Sequence, residues 1–388
     1  MSKLEELIEQ YCPDGVEYVR LGDVAQVCRG TRVVRSQLTE VGYPVYQNCL
    51  TPMGCFEDTN CPKGTTFVIC GGAAGNVGYT DVDCWAADDC EYIECSHTIL
   101  NRYVYYCLMS KQHYLLSKVR KASIPRLSPN VIKDLEIPVP PLPVQEEIVR
   151  ILDTFTELQA ELQAELQKRK QQYNYCRDNL LANFTTEQNV KEYTLGELGT
   201  FTRGNGLQKK DFTKEGIGCI HYGQIYTRFG AFADKTLTYV NREQASHLLQ
   251  VEKGNLVIAC TSENVEDICK SVAWLGEENI CTGGHACVFR HNQNPKYISY
   301  FFQTEYFFNQ KKKYTYGTKV KDIKPDSIAK IKIPLPSLKE QERIVSILDN
   351  LYTLTTDLTQ GLPAEIEKRK QQYEYYRDKL LTFKRKGA

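Results

Sequence analysis

The sequence predicts a mixed α/β protein. Two tandem globular domains alternate with two long helices, and the helices pair as an antiparallel coiled coil with pseudo-two-fold symmetry. Three observations carry this. A stretch at residues 145–181 recurs at 341–381. Each copy has the apolar spacing of a helix too long to stand alone. The stretches before each copy are rich in strand-like runs and glycine turns, with matching punctuation.

The repeat comes first, because a missed repeat misreads the whole chain. The first copy opens Gln145-Glu146-Glu147-Ile148-Val149-Arg150-Ile151-Leu152-Asp153, and the second Gln341-Glu342-Arg343-Ile344-Val345-Ser346-Ile347-Leu348-Asp349. Their closing blocks, 168–181 and 368–381, agree at eleven of fourteen positions, beginning Lys-Arg-Lys-Gln-Gln-Tyr in both. The first stripe runs Ile148, Ile151, Phe155, Leu158, Leu162, Leu166, Tyr173. The second runs Ile344, Ile347, Leu351, Leu354, Leu358, Leu362, Ile366, Tyr373, Tyr376. Steps of three and four residues mark one narrow helical face. At ~1.5 Å per residue the first helix reaches about 55 Å, so it needs a partner, and the other copy is the obvious one. Two amphipathic helices lying on their own domains would satisfy the same stripe.

The predicted segments are 1–142 (a short N-terminal helix and the first domain), 143–186 (central helix), 187–337 (second domain) and 338–388 (C-terminal helix). The domains echo each other loosely. Leu21-Gly22-Asp23-Val24 before Arg29-Gly30 matches Leu195-Gly196-Glu197-Leu198 before Arg203-Gly204. Lys63-Gly64 and Lys253-Gly254 each open an apolar strand. A proline-rich elbow closes each domain, Pro138-Val139-Pro140-Pro141-Leu142-Pro143 and Pro334-Leu335-Pro336. Proline cannot continue a strand ladder, so each elbow reads as a stiff hand-over to a helix. The second copy departs in one respect. It carries four more residues between Asp349 and Lys368 than lie between Asp153 and Lys168, and Gly361-Leu362-Pro363 should kink or break it.

Bulk properties exclude little. The 48 basic and 48 acidic residues cancel, so no global field announces a polyanion. No run is long enough to span a membrane, and the first ten residues lack a signal-peptide pattern, which suggests a cytoplasmic protein. Sixteen cysteines form no C-x-x-C pair. The spacings Cys49/Cys55/Cys61 and Cys281/His285/Cys287 are looser than zinc sites use, so small buried hydrophobes are expected, and no metal.

Enzyme signatures are missing. The glycine-rich run 71–78 follows a strand, but it lacks the lysine-serine pair of a P-loop and reads as a tight turn. No nucleophile elbow or metalloprotease motif is present. Basic clusters fit nucleic acid better, and they recur at corresponding places. The first domain has Arg29, Arg32 and Arg35, then Lys118, Arg120, Lys121 and Arg126. The second has Arg203, Lys209 and Lys210, then Lys311, Lys312, Lys313, Lys319 and Lys321. Lysine and arginine supply phosphate contacts, and arginine also reads guanine. Any one cluster could be an ordinary solvated face.

With these motifs in view, the chain resembles the specificity subunit of type I restriction-modification systems over nearly its whole length. The two Q-E-x-I-V-x-I-L-D segments, the two K-R-K-Q-Q-Y blocks, the elbows and the opening Cys12-Pro13-Asp14-Gly15 carry the resemblance. It implies a non-catalytic subunit that binds double-stranded DNA. Each domain would be a target recognition domain reading half of a bipartite sequence. The helices would set the spacing and dock two methyltransferase subunits, and restriction motor-nuclease subunits would join. S-adenosylmethionine, ATP and Mg would belong to those partners, with no cofactor in this chain. Residues 157–166, Glu-Leu-Gln-Ala-Glu-Leu-Gln-Ala-Glu-Leu, resemble the tandem tetrapeptide of one branch of the family. A protein-binding adaptor, or a nucleotide-binding enzyme using the 71–78 loop, are the alternatives.

Overall fold

A computed structural model describes residues 2–182, 190–356 and 361–387. The chain forms two compact units, one of Met1–Gln163 with Glu365–Ala388, the other of Ala164–Ala364. Each unit holds one globular domain, one part of the central helix Leu142–Ala182 and one part of the second copy. The predicted boundary at 186/187 lies outside the described residues. Among the described residues no helix is long and apolar enough to cross a membrane.

In the first unit, a four-stranded antiparallel sheet runs in the order Ala25–Arg29, Cys90–Cys95, Thr65–Ile69, Val77–Thr80. The strand Thr65–Ile69 is β-branched or aromatic at every position, and all five residues are buried. Such a strand belongs at a sheet centre covered on both faces. A smaller sheet joins Tyr43–Tyr46 to Cys55–Phe56 and, in parallel, to Trp85–Ala86.

The second unit repeats this plan. Gly199–Arg203, Ala286–His291, Leu256–Ala259 and Ser271–Trp274 stand in the same order, extended by Phe232–Ala233. The smaller sheet again contains one parallel pair, Ile217–Ile220 beside Ile280–Thr282. Each elbow is an antiparallel ladder, Tyr18–Arg20 with Glu136–Pro138 and Lys191–Thr194 with Lys332–Leu335.

The repeated motif clamps each long helix to the domain before it. The Gln145 side chain is fully buried; its carbonyl accepts from the Leu100 amide at 2.9 Å and its Nε2 donates to the carbonyls of Pro140 and Thr98. Gln341 does the same, accepting from the Asn294 amide at 3.0 Å and donating to the Pro336 carbonyl at 3.0 Å. Leu100 and Asn294 are the N-cap residues of helices Asn101–Ser110 and Pro295–Phe301. Two turns on, Asp153 accepts from Arg102 Nε at 2.7 Å and from the Tyr106 hydroxyl. Asp349 accepts from Lys296 Nζ and the Tyr300 hydroxyl, both at 2.7 Å. Tyr103 and Tyr297, from the same two helices, donate to the elbow carbonyls of Pro138 and Pro334.

The apolar stripe therefore serves two surfaces. Ile148 and Leu152 are fully buried in the core of the first domain with Tyr103 and Tyr106. Ile344 and Leu348 occupy the same place in the second, with Tyr297 and Tyr300. Ile151 and Ile347 are half-buried beside them. The helix–helix seam begins only further along. Phe155 stacks on Tyr376 with ring centroids 5.6 Å apart in the first unit, and Tyr173 approaches Tyr352 at 6.0 Å in the second. The start of the central helix thus meets the last part of the second copy, and its end meets the first part, an antiparallel pairing. Tyr373 is buried in the first unit's core and Leu351 half-buried against the second's. Leu162 is half-buried, whereas Leu158 and Leu354 are 44 % and 36 % exposed. Leu358 lies outside the described residues. The second copy is broken as its Gly-Leu-Pro predicts, into Leu338–Thr356 and Leu362–Leu380, with Pro363 tolerated at the second helical position.

Two outcomes are expected. Gln341→Leu keeps the side-chain volume but leaves the Asn294 amide and the Pro336 carbonyl without their partner, costing about 1–3 kcal/mol. Urea unfolding reads this as a lower midpoint at unchanged slope. Glu147, which side-chain hydrogen bonds from Arg150 and then Lys3 hold down to about 2, gives an acid-sensitive contribution. A depressed carboxyl stabilises above its unfolded value of about 4.5 and is lost as pH falls towards about 2. Glu147→Gln should flatten the fall of Tm with pH across that window.

Candidate nucleic-acid interface

In the first unit, four of the basic side chains converge. Arg29, at the end of its strand, stands opposite Glu91. Residues 120 and 126 close a hairpin, Arg120 N–H to the Arg126 carbonyl at 2.8 Å and Arg126 N–H to the Arg120 carbonyl at 3.2 Å. Arg29, Lys118, Arg120 and Arg126 line one cleft of about 500 Å³, together with Asp88, Asp89 and Glu91. Arg126 is ion-paired to Asp89 at 2.9 Å. Burial pushes the Glu91 carboxyl up, against the nearby charges of Arg29 and Lys133. Arg32, Arg35 and Lys121 are exposed outside this cleft, Lys121 at the hairpin tip.

The second unit builds the same hairpin at 316–322, with Tyr316 and Asp322 exchanging backbone bonds at 3.1 and 2.9 Å. Arg203, the counterpart of Arg29, forms a two-bond fork with Asp322 at 3.1 and 2.7 Å. Tyr316 donates its hydroxyl to the same carboxylate at 3.0 Å. Burial opposes ionisation of Asp322, but Arg203 and Tyr316 outweigh it and hold the carboxyl below its usual range. Lys319 is exposed at the hairpin tip, while Lys321 donates to the Gly317 carbonyl at 2.8 Å. Lys209 and Lys210 are exposed on a short 3-10 turn, Lys209 beside a separate cleft with His221 and Arg228.

One basic residue was misread from the sequence. Lys311 is only 4 % exposed and donates inward to the carbonyls of Glu266 and Ile268, so it is a core strut. The acidic partners Asp89 and Asp322 were missed. Arg203 and Asp322 are 119 positions apart, and no local pattern joins them. The glycine-rich run is a tight turn whose amides are already engaged: Gly72 N–H with the Pro125 carbonyl, Ala73 with Asn48 and Gly75 with Ile69. That leaves a poor cradle for phosphate. Cys281 and Cys287 are buried hydrophobes, and His285 bonds Thr261 at 3.1 Å. Among the described residues no three His, Cys, Asp or Glu side chains gather as a metal set.

Residues 13–169 and 187–368 match the family described as Type I restriction modification DNA specificity domain. The chain belongs to this family. Among relatives of the specificity family, the EcoR124I/EcoR124II specificity subunit of Escherichia coli is 34 % identical over 258 residues, 65 % of this chain and 63 % of that protein. A putative type I restriction enzyme specificity subunit of Haemophilus influenzae is 30 % identical over 316 residues, 77 % of this chain and 76 % of that one. The chain thus spans just under two thirds of the length of the first relative. A crystal structure of a type I S subunit from M. genitalium shares the fold, with TM-score 0.58 and 16 % identity over 95 % of this chain and 96 % of that one. A chain from a structural study of complex assembly in the type I system agrees similarly, at TM-score 0.60 and 17 % identity over 95 % and 97 %.

Within this specificity-family fold the hairpin base is a charge-assisted joint. Asp322→Ala should release Arg203 and loosen the hairpin. Amide exchange at Tyr316 and Asp322 is expected to rise about tenfold, as loss of a two-bond arginine–carboxylate pair implies, while exchange in strand Leu256–Ala259 stays unchanged.

Proposed function

We propose that this chain is the DNA-specificity subunit of a type I restriction-modification complex. Each globular domain reads one half of a bipartite site in double-stranded DNA. The single observation that supports this most is the duplicated construction. A basic hairpin and an arginine-ended strand stand at the same place in both units, upstream of the same helix clamp. Two equal reading heads on paired helices suit a target of two short halves with an unread gap.

On this reading the chain is non-catalytic and acts in the cytoplasm. Two methyltransferase subunits dock along the helices and supply S-adenosylmethionine chemistry on adenine. Restriction motor-nuclease subunits bring ATP and Mg. The division between the compact units falls at Gln163/Ala164, inside the Glu-Leu-Gln-Ala repeat. Four helical residues correspond to ~6 Å of rise, the scale of one or two base pairs at ~3.4 Å each.

The test is a genome-wide map of adenine methylation in a host expressing the methyltransferase partner with and without this chain. A new split motif that depends on this chain is expected. Deleting Glu161–Ala164 should change only the gap. Co-purification of the subunits without any new motif would favour a protein adaptor instead.

A further inference from the structure

The two hairpins agree in detail where the sequences do not. Leu127 N–H bonds the Cys70 carbonyl in the first unit, and Ile323 N–H bonds the Cys260 carbonyl in the second. An isolated bridge joins Gly71 to Arg126, and a two-residue antiparallel ladder pairs Thr261 with Asp322. This fixes Arg120 as the equivalent of Tyr316, and Arg126 of Asp322. The five tip residues between them are Lys-Ala-Ser-Ile-Pro and Gly-Thr-Lys-Val-Lys, which share no identity. One property survives. The fourth tip position carries a β-branched aliphatic side chain in both, Ile124 and Val320, and these are 53 % and 57 % exposed.

A single exposed aliphatic residue needs no explanation. The same exposed aliphatic at one structural position in two diverged domains does. The base of each hairpin is fixed by an ion pair of opposite polarity, Arg126 with Asp89 and Asp322 with Arg203. Those arginines therefore hold the hairpin and are positioning residues, whereas the tip faces solvent. Exposed cations flank the tips, Arg120 and Lys121 in one and Lys319 in the other, and these suit a phosphate-lined surface. Isoleucine and valine make no hydrogen bonds. On a duplex, the apolar group that lies within reach of a two-stranded ribbon is the thymine 5-methyl in the major groove.

We propose that Ile124 and Val320 are specificity-determining residues, each contacting a thymine methyl in its own half of the target. This rests on the DNA-specificity reading above. It is tested in the complex of the full chain with its methyltransferase subunits, by methylation mapping of Ile124→Ala and Val320→Ala. Each variant should relax one position in one half, a different half for each, with the gap and the other half unchanged. Both side chains are exposed, so Tm should not move. At the relaxed position, a synthetic duplex with deoxyuridine in place of thymine should bind the wild-type complex about fourfold more weakly, the worth of one buried methyl. The alanine variant should bind both duplexes alike. An unchanged motif, a uniform fall in methylation at an unchanged motif, or equal wild-type binding of both duplexes (as a stacking wedge would give) overturns the proposal. If the wild-type complex marks no split motif at all, the underlying DNA-specificity reading fails first.

Discussion

A buried amide fixes each domain to its helix, and the rest of the architecture depends on that joint. Gln145 and Gln341 each accept from an N-cap amide of the domain and donate to an elbow carbonyl. Only a side chain with both an acceptor and donors can do this. Glutamate would place a charge there with acceptors facing carbonyls, and leucine would strand two backbone groups. Two turns later Asp153 and Asp349 each grip a tyrosine hydroxyl and a cation presented one turn apart on the same domain helix. Pro138 and Pro334 lie within the elbow ladders, lacking only a donor, while Pro140 and Pro336 lie just past them, where their carbonyls accept from the glutamines. The joint is thus held by paired polar groups at two successive levels of the helix.

This explains the uneven divergence of the repeat. The motif must satisfy its own domain through Gln, Asp and the inward aliphatic positions, and the other helix through the positions beyond. Two sets of constraints on one surface leave few tolerated substitutions. The globular domains share strand order and elbow geometry, which many sequences can meet by burying apolar strands.

Much of this was legible in the sequence. The duplication, the elbows and the break at Gly361-Leu362-Pro363 are local patterns with a direct physical meaning. The division of the apolar stripe between two surfaces was not. Ile148 and Phe155 obey one helical spacing, although one enters the domain core and the other stacks on Tyr376. Periodicity reports which face is buried and is silent about what covers it. Likewise Lys311 sits in a basic run of three lysines yet points inward, because the loop carbonyls of Glu266 and Ile268 wait there to be satisfied.

The basic clusters show the deepest limit of reading charge from sequence. Both hairpins need an ion pair at the base, and the chain meets that need once with arginine on the hairpin and once with aspartate there. Aligning the two halves residue by residue would treat Arg126 and Asp322 as opposites. In the fold they perform the same task, since a salt bridge is indifferent to which side carries which sign. Gly317, with a φ of +100°, takes the turn in the second hairpin where a side-chain carbon would lie 2.0 Å from the Val320 carbonyl oxygen, whereas Lys121 holds that place in the first. Separating the anchor from the tip leaves the tip free to change without loosening the hairpin. On the proposed reading, in which each domain reads its own half of a target, that separation lets one framework carry two different tips.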